Sequence, residues 1–178
     1  MPSDAIPALA YFGRAQDLAE EVVRSLAARQ KKIAAAESCT AGLASDFITR
    51  VPGASNVFWG SFVTYTPDAK VKMLGVPETL IEEHGDVSRS VALAMAAKAL
   101  EKSGASWAFS VTGIAGPGGG CAEVPVGTVW IGVAGRNGEP GCFWSEAKKF
   151  FFIGGRNEVR EAAAAIALQE LLERINRT

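Results

Sequence analysis

A serine occupies the most informative position in this sequence, the predicted junction between a short strand and a helix. Residues 35–42 read Ala-Ala-Glu-Ser-Cys-Thr-Ala-Gly and follow Lys32-Ile33-Ala34. A hydroxyl at such a junction lies where free backbone N–H groups and the positive end of the helix dipole stabilise a developing oxyanion. Ser38 is therefore the candidate nucleophile. Serine is also favoured as a plain helix N-cap, and this segment alone leaves both interpretations open.

A serine nucleophile needs a base, and the sequence offers two candidates. His84 is the only histidine, so a Ser-His-Asp triad or a multi-histidine metal centre would depend on it alone. Its neighbours Glu83 and Gly85 are typical of a helix end, where a histidine often serves as a favourable terminal charge. Lys70 is the stronger candidate, because burial can lower the pKa of a lysine until part of it is neutral.

Tyr65 lies at the end of the second predicted strand, and Lys70 lies just beyond it, on the short helix that follows. In an open α/β sheet the site forms beyond the strand ends, so both residues converge with Ser38 if the two strands are parallel neighbours. The phenol of Tyr65 can donate and accept a hydrogen bond, which suits it to relay a proton between serine and lysine. Taken singly, Tyr65 is also typical of a half-buried strand residue and Lys70 of a solvated helix residue.

A glycine-rich segment, Thr112 to Gly120, follows the apolar run 107–111. Its unencumbered backbone N–H groups are of the kind that receive a phosphate or an anionic intermediate. The segment lacks the lysine of G-x-x-x-x-G-K-[ST] and does not match G-x-G-x-x-G, so a turn without a ligand is the alternative. Arg156 and Arg160, one helical turn apart, are either a phosphate clamp or ordinary surface arginines.

The composition excludes several classes of protein. The 178 residues suffice for one domain with a full core, which we place at 15–178 after a flexible, loosely ordered N-terminus at 1–14. The near balance of 18 basic and 19 acidic residues leaves no electrostatic footprint for nucleic acid. Three widely separated cysteines form no disulfide framework or metal motif, and neither a signal peptide nor a bilayer-spanning stretch is recognisable. We therefore expect a cytoplasmic protein without nucleic-acid or membrane partners.

Hydrophobic periodicity and turn residues predict strands that alternate with helices. The residues Gly135-Arg136-Asn137-Gly138 are typical of a hairpin turn, so at least the last two strands should be antiparallel. This order of elements predicts an α/β fold, a three-layer α/β/α sandwich with a mixed, partly antiparallel sheet. The predicted strands are 32–36, 57–65, 107–111, 126–134 and 142–152. The predicted helices are 15–29, one after Ser38 that stops before Val51, a short one from Pro67 to Gly75, one up to His84, one from Ser88 to Ser103, and 156–175.

Six segments in the same order resemble the CinA C-terminal domain family, whose stand-alone members include nicotinamide-nucleotide amidohydrolases. The resemblance extends over residues 15–175, nearly the whole chain. The segments are Ala36-Glu37-Ser38-Cys39-Thr40-Ala41-Gly42, Val63-Thr64-Tyr65 through Ala69-Lys70, Leu74-Gly75-Val76, His84-Gly85 with Val87-Ser88, Val111-Thr112-Gly113-Ile114-Ala115-Gly116-Pro117-Gly118-Gly119, and Pro125-Val126-Gly127-Thr128-Val129.

The resemblance implies hydrolysis of the carboxamide of nicotinamide mononucleotide to nicotinate mononucleotide and ammonia, a step in pyridine nucleotide salvage, without a cofactor or a metal. It implies Ser38 as the nucleophile, with Lys70 and Tyr65 completing the catalytic site. It also implies a homo-oligomer that acts on a small-molecule nucleotide. The residues expected to bind the substrate are Glu37, Cys39, Thr40, Thr112, Gly113, Gly116, Gly118, Gly119 and Arg156.

The chain departs from the family pattern at three places. Ala41 stands where a second glycine is usual, Thr66-Pro67-Asp68 replaces Ser-Asn-Glu, and Gly155 stands where an acid usually precedes Arg156. We expect the methyl group of Ala41 to be accommodated within a helix, and Arg156 to be oriented differently without the acid. The alternatives to the amidohydrolase are a nucleotide-binding or regulatory module without turnover, and an amidase for another small amide.

Overall fold

A single mixed sheet forms the centre of the computed structural model, which describes residues 5–11, 13–136 and 142–177. The strands are β1 (Ile6–Pro7), β2 (Ile33–Glu37), β3 (Phe58–Val63), β4 (Trp107–Gly113), β5 (Thr128–Arg136) and β6 (Phe143–Ile153). Their order across the sheet is β1-β6-β5-β4-β2-β3. Strand β2 is parallel to both β3 and β4, whereas β5 is antiparallel to β4 and β6. The predicted mixed, partly antiparallel sheet is confirmed.

Helices cover both faces of this sheet. They are α1 (Arg14–Ala28), α2 (Leu43–Thr49), α3 (Pro67–Ala69), α4 (Glu78–His84), α5 (Arg89–Ser103) and α6 (Arg156–Asn176). Side chains alternate between the two faces along β4. Phe109 therefore packs in the core beneath α1, α2 and α6, whereas its neighbour Ala108 packs in a second core with Met95 of α5. The predicted three-layer α/β/α sandwich is confirmed.

Local signals in the sequence start α5 and start and stop the segment around Lys70 as expected. The hydroxyl of Ser88 accepts a hydrogen bond from the N–H of Val91 at 3.3 Å and caps α5. Pro67 opens α3, and a turn of π-helix, Lys70–Leu74, continues it until Gly75 ends it with φ +83°. Within the described residues, no helix combines the length and apolar character needed to cross a bilayer.

Several predicted boundaries differ from the structure; β5, for example, runs from Thr128 to Arg136 where 126–134 was predicted. Residues 6 and 7 of the predicted loose N-terminus form a strand parallel to β6, and the buried Ala8 packs beside α6 in the turn that follows. Strand β3 ends at Val63, two residues earlier than predicted. The predicted antiparallel pairing of the last two strands is confirmed, since Arg136 lies opposite Phe143. The predicted turn residues Asn137 and Gly138 lie outside the described residues.

Candidate active site

Parallel pairing brings the ends of β2 and β3 to the same edge of the sheet. Glu37, the last residue of β2, lies opposite Val63, the last residue of β3. Ser38 follows the first strand directly, and Lys70 lies one short helix beyond the second. The Lys70 Nζ atom donates a hydrogen bond to Ser38 Oγ at 3.0 Å. The structure thus brings together the serine and the lysine that the sequence singled out.

Lys70 is an unusual lysine because its side chain is completely buried, at 0% exposure. Burial disfavours the charged ammonium and lowers the pKa of Lys70 below its ordinary value of 10.5. The carboxylate of Asp86, with Oδ2 at 3.5 Å from Nζ, acts in the opposite direction and raises this pKa. Burial is the larger effect, so the neutral amine, the form that can take a proton from Ser38, forms at lower pH than in an ordinary lysine.

The turn after β2 differs from the strand-to-helix junction that the sequence predicts. Helix α2 begins at Leu43, and Gly42 is its N-cap with φ +92°. The preceding Ala41 also adopts a left-handed conformation, with φ +51°, which strains a residue that carries a Cβ. The prediction that Ser38 caps a helix is wrong, as is the prediction that Ala41 lies within one. The Ser38 hydroxyl is instead shared between Lys70 and the carbonyl of Tyr65, at 3.4 Å.

Glu37 supplies the cap that Ser38 does not. Its fully buried carboxyl group accepts the N–H groups of Gly42 at 3.1 Å, Ala44 at 3.1 Å and Ser45 at 2.9 Å. It also accepts the hydroxyl of Ser45. These bonds satisfy orphan donors at the start of α2 and close the turn around Ser38. The structure therefore turns the Glu37 side chain toward the helix and away from the pocket where substrate contact was expected.

Tyr65 lies at the rim of the site, with 51% of the residue exposed. Its hydroxyl accepts a hydrogen bond from Arg156 Nη2 at 2.8 Å, and Arg156 Nη1 donates to the carbonyl of Gly116 at 2.6 Å. Among the described residues, no hydrogen bond connects the phenol to Ser38 or Lys70. The expected proton relay through Tyr65 is not formed, because Lys70 reaches Ser38 directly.

The two arginines at the start of α6 have different contacts. Arg160 donates from Nε to the carbonyl of Cys39 at 3.2 Å and from Nη2 to the carbonyl of Thr40 at 3.0 Å. It therefore supports the turn that carries Ser38. Arg156 is exposed at the pocket rim, so the two side chains do not form the paired clamp that their spacing suggested.

A pocket of about 420 Å³ opens beside Ser38, between the glycine-rich loop and the segment that joins α4 to α5. Of the residues expected to bind the substrate, six line it: Cys39, Gly113, Gly116, Gly118, Gly119 and Arg156. Thr40 and Thr112 are fully buried behind it. The Thr112 hydroxyl donates to the backbone carbonyl of Asp86 at 2.8 Å. Thr112 therefore positions Asp86, which lines the pocket, and does not line the pocket itself.

Asp86 was missed by the sequence reasoning. It belongs to a short connection after the histidine and glycine that end α4, and nothing in its local sequence distinguishes it from a solvated surface acid. Its nearness to Lys70 arises because β4 lies next to β2 and the α4–α5 connection packs over the end of β4. No pattern within one segment carries that information.

Cys39 lies next to Ser38 but has the properties of a packing residue. Burial raises the pKa of its thiol to about 12, so the thiolate needed for nucleophilic attack is scarce at neutral pH. Among the described residues, no group of three or more His, Cys, Asp or Glu side chains could hold a metal ion.

Comparison with known proteins places this fold and site in a family. Residues 15–175 match the CinA C-terminal domain, and the chain belongs to that family. The CinA-like protein of Akkermansia muciniphila is 47% identical over 156 residues, which are 88% of this chain and 36% of that protein. The chain spans 36% to 39% of the length of this and two further relatives.

Two other comparisons cover nearly the whole of both chains. The nicotinamide-nucleotide amidohydrolase PncC of Shigella flexneri is 46% identical over 154 residues, which are 86% of this chain and 90% of that protein. The crystal structure of competence/damage inducible protein CihA from Agrobacterium tumefaciens superposes with a TM-score of 0.83 at 41% identity, covering 92% of this chain and 96% of that one.

Proposed function

We propose that this protein is a nicotinamide-nucleotide amidohydrolase in which Ser38 is the nucleophile and Lys70 is the general base. The observation that carries the proposal is the 3.0 Å contact between the fully buried Lys70 amine and the Ser38 hydroxyl at the wall of a pocket. The likeness to the Shigella PncC protein supports the choice of substrate.

The first half of the reaction forms an acyl-enzyme. The neutral Lys70 amine takes the Ser38 hydroxyl proton as Oγ attacks the carboxamide carbon, and the carbonyl oxygen becomes an oxyanion. Collapse of this intermediate breaks the C–N bond. The Lys70 ammonium returns its proton to the nitrogen, which leaves as ammonia.

In the proposed mechanism, backbone N–H groups in the turn after β2 stabilise the oxyanion. The N–H of Ser38 is already bonded to the carbonyl of Val111 at 2.9 Å, and that of Ala41 to the carbonyl of Ser38 at 3.0 Å. Within the described residues, those of Cys39 and Thr40 donate to no other residue, and the Cys39 N–H bonds only to its own thiol. We assign these two N–H groups to the oxyanion, where preorganised donors lower the barrier most effectively.

Hydrolysis of the ester completes the cycle with the same residues. Lys70 takes a proton from water as the water oxygen attacks the acyl carbon, and the ester bond to Ser38 Oγ breaks. The proton on Lys70 then restores the serine hydroxyl, and the new carboxylic acid releases the second water proton to solvent as nicotinate mononucleotide leaves. No metal or redox cofactor takes part in any of these steps.

The nucleotide part of the substrate would bind along the glycine-rich loop. Its backbone and the exposed guanidinium of Arg156 line the same pocket as Ser38, and both are suited to a phosphate. Arg156 has one hydrogen bond to Gly116 of this loop and one to Tyr65. Tyr65 thus contributes to the proposed site by holding Arg156 at the rim.

The proposal is tested by incubating the purified protein with nicotinamide mononucleotide and measuring ammonia release. We expect turnover by the wild type, none above background in Ser38→Ala, and turnover in Cys39→Ser, because the buried thiol does not attack. Binding of the nucleotide without ammonia release would indicate the non-catalytic module. Equal rates in Ser38→Ala and wild type would refute the nucleophile assignment, and loss of turnover in Cys39→Ser would reopen it.

A further inference from the structure

We propose that Asp86 is a positioning residue that holds Lys70 against Ser38 and sets the lower limit of the pH range in which the enzyme turns over. This inference rests on the proposed function, in which Lys70 must be neutral before it can accept the serine proton. It concerns a residue that contacts the base and not the reacting atoms.

Two side-chain hydroxyls hold the backbone of Asp86 and of its neighbour Gly85 in place. The buried Thr112 hydroxyl donates to the Asp86 carbonyl at 2.8 Å, and the Ser88 hydroxyl donates to the Gly85 carbonyl at 3.0 Å. Val111, next to Thr112 on β4, accepts the N–H of Ser38. One strand end therefore fixes both the nucleophile and the acid, so the distance from Asp86 to Lys70 is set by β4.

Few charged groups of the described residues face the Lys70 amine. Asp86 approaches from the α4–α5 connection at 3.5 Å, and Cys39 approaches from the turn after β2 and has a smaller effect. Asp68 and Lys72, on the element that carries Lys70, are exposed and pair with each other at 2.7 Å. Helix α5 presents apolar side chains of the second core to the turn after Lys70. Asp86 is therefore the one carboxylate of the described residues that the amine contacts.

Asp86 is also open to the pocket, with its side chain 42% exposed. A carboxylate in that position favours the protonated lysine and opposes the effect of burial. It keeps the amine basic enough to take a proton from serine, since the rate of such a transfer rises with the strength of the base. Removing the charge makes Lys70 lose its proton at lower pH and leaves a weaker base.

The experiment compares wild type with Asp86→Asn, an isosteric change at a half-exposed side chain. The first readout is the pH dependence of kcat for ammonia release from nicotinamide mononucleotide. The second is an NMR titration of the Lys70 side chain in protein labelled with ¹³C at lysine Cε, with the resonance assigned by its absence in Lys70→Met. The matched control is Glu82→Gln, which removes one exposed negative charge from the neighbouring helix α4.

We expect the rising limb of kcat and the NMR midpoint of Asp86→Asn to move together to lower pH, with a lower plateau of kcat. Asp86→Glu restores both toward wild type, and Glu82→Gln leaves both in place. An unchanged midpoint in Asp86→Asn, or an equal movement in Glu82→Gln, overturns the inference. If Asp86→Asn does not fold, Asp86→Ala gives the same test.

The NMR titration separates this inference from the proposed function. If the wild type releases no ammonia but the Lys70 midpoint still moves in Asp86→Asn, the proposed substrate is wrong and the coupling of Asp86 to Lys70 stands. If the wild type turns over and the midpoint does not move, the function stands and the role of Asp86 is refuted.

Discussion

Two completely buried ionisable side chains, Glu37 and Lys70, flank the serine. They differ in how many hydrogen-bond partners the buried group has. Glu37 accepts four hydrogen bonds, all from the α2 N-terminus and Ser45. Among the described residues, the Lys70 amine makes one hydrogen bond, to Ser38, and one longer contact, to an acid that is itself open to the pocket. One buried group is fully satisfied and the other is not.

This difference distinguishes a buried group that supports the structure from one that is suited to proton transfer. A buried polar group that has all its partners stabilises one geometry, whereas one with too few partners is costly and easily changes its protonation state. Glu37 therefore keeps the turn around Ser38 closed. Lys70 is held at a free-energy cost in a state from which it can exchange a proton, which is what general-base catalysis requires.

The largest expected effect is on activity and tests the catalytic half of this comparison. Lys70→Met removes the amine from the serine while keeping a long apolar side chain in the buried space, so kcat should fall by about 10³-fold. Lys72→Met, an exposed lysine on the same turn, is the matched control and should keep most of its activity. Ammonia release measured for both variants checks this, and a Lys70→Met enzyme with most of its rate would remove lysine from the mechanism.

The next largest effect is on stability and tests the structural role assigned to Glu37. Glu37→Ala leaves the buried N–H groups at the start of α2 without an acceptor, so the free energy of unfolding should fall by about 3 kcal/mol. Glu82→Ala, at an exposed position, should change it by less than about 0.5 kcal/mol. Urea denaturation followed by circular dichroism measures both. Equal stability of the two variants would show that the four bonds to Glu37 do not hold the turn.

Lys70→Met should change the free energy of unfolding in the opposite direction, toward greater stability. Replacing a buried charge of similar size by an apolar side chain should stabilise the protein at neutral pH by about 1 to 2 kcal/mol. Because the pKa of Lys70 is lower in the folded protein than the ordinary 10.5, the unfolded chain binds the extra proton. The cost of burying the lysine is full below the folded-state pKa and disappears as pH rises toward 10.5.

The stability gap between Lys70→Met and wild type should therefore narrow as the pH rises through this range. The buried Cys39 thiol acts in the opposite direction above its ordinary pKa of 9.0, and it interacts with Lys70, so both proteins carry Cys39→Ser in this comparison. Urea denaturation at a series of pH values measures the gap. A gap that does not change with pH would mean that Lys70 is not held with a lowered pKa.

The smallest expected effect concerns the turn that lies between the two groups. Ala41 has φ +51°, where a Cβ costs about 1 to 2 kcal/mol, and glycine regains most of this while losing some backbone entropy. Ala41→Gly should thus raise the free energy of unfolding by about 0.5 kcal/mol and leave ammonia release intact. Thermal denaturation measures the gain, and a loss of stability would show that the turn already accommodates the methyl group without strain.

Much of the fold is readable from local signals because each signal acts within a few residues. The cap at Ser88, the proline that opens α3 and the mostly apolar run of β4 are all set by neighbours in the chain. The exceptions are equally instructive. Ser38 looks like a cap, but α2 begins only at Leu43, and the side chain of Glu37 reaches over the turn to accept the N–H groups at the start of that helix.

Some features of the candidate site can likewise be predicted from local sequence, whereas others depend on tertiary packing. The residue types and their positions at strand ends make Ser38, Lys70 and the glycine-rich loop candidates, because strand ends and glycine runs are properties of the chain itself, and the resemblance to a known family selects Ser38 and Lys70 among the alternatives. The burial of Lys70, its direct contact with Ser38, and the approach of Asp86 depend on which strands are neighbours and how the α4–α5 connection packs over β4. Desolvation and Coulomb interactions act between groups far apart in sequence, so the protonation state of the lysine is a property of the packed protein and not of any single segment.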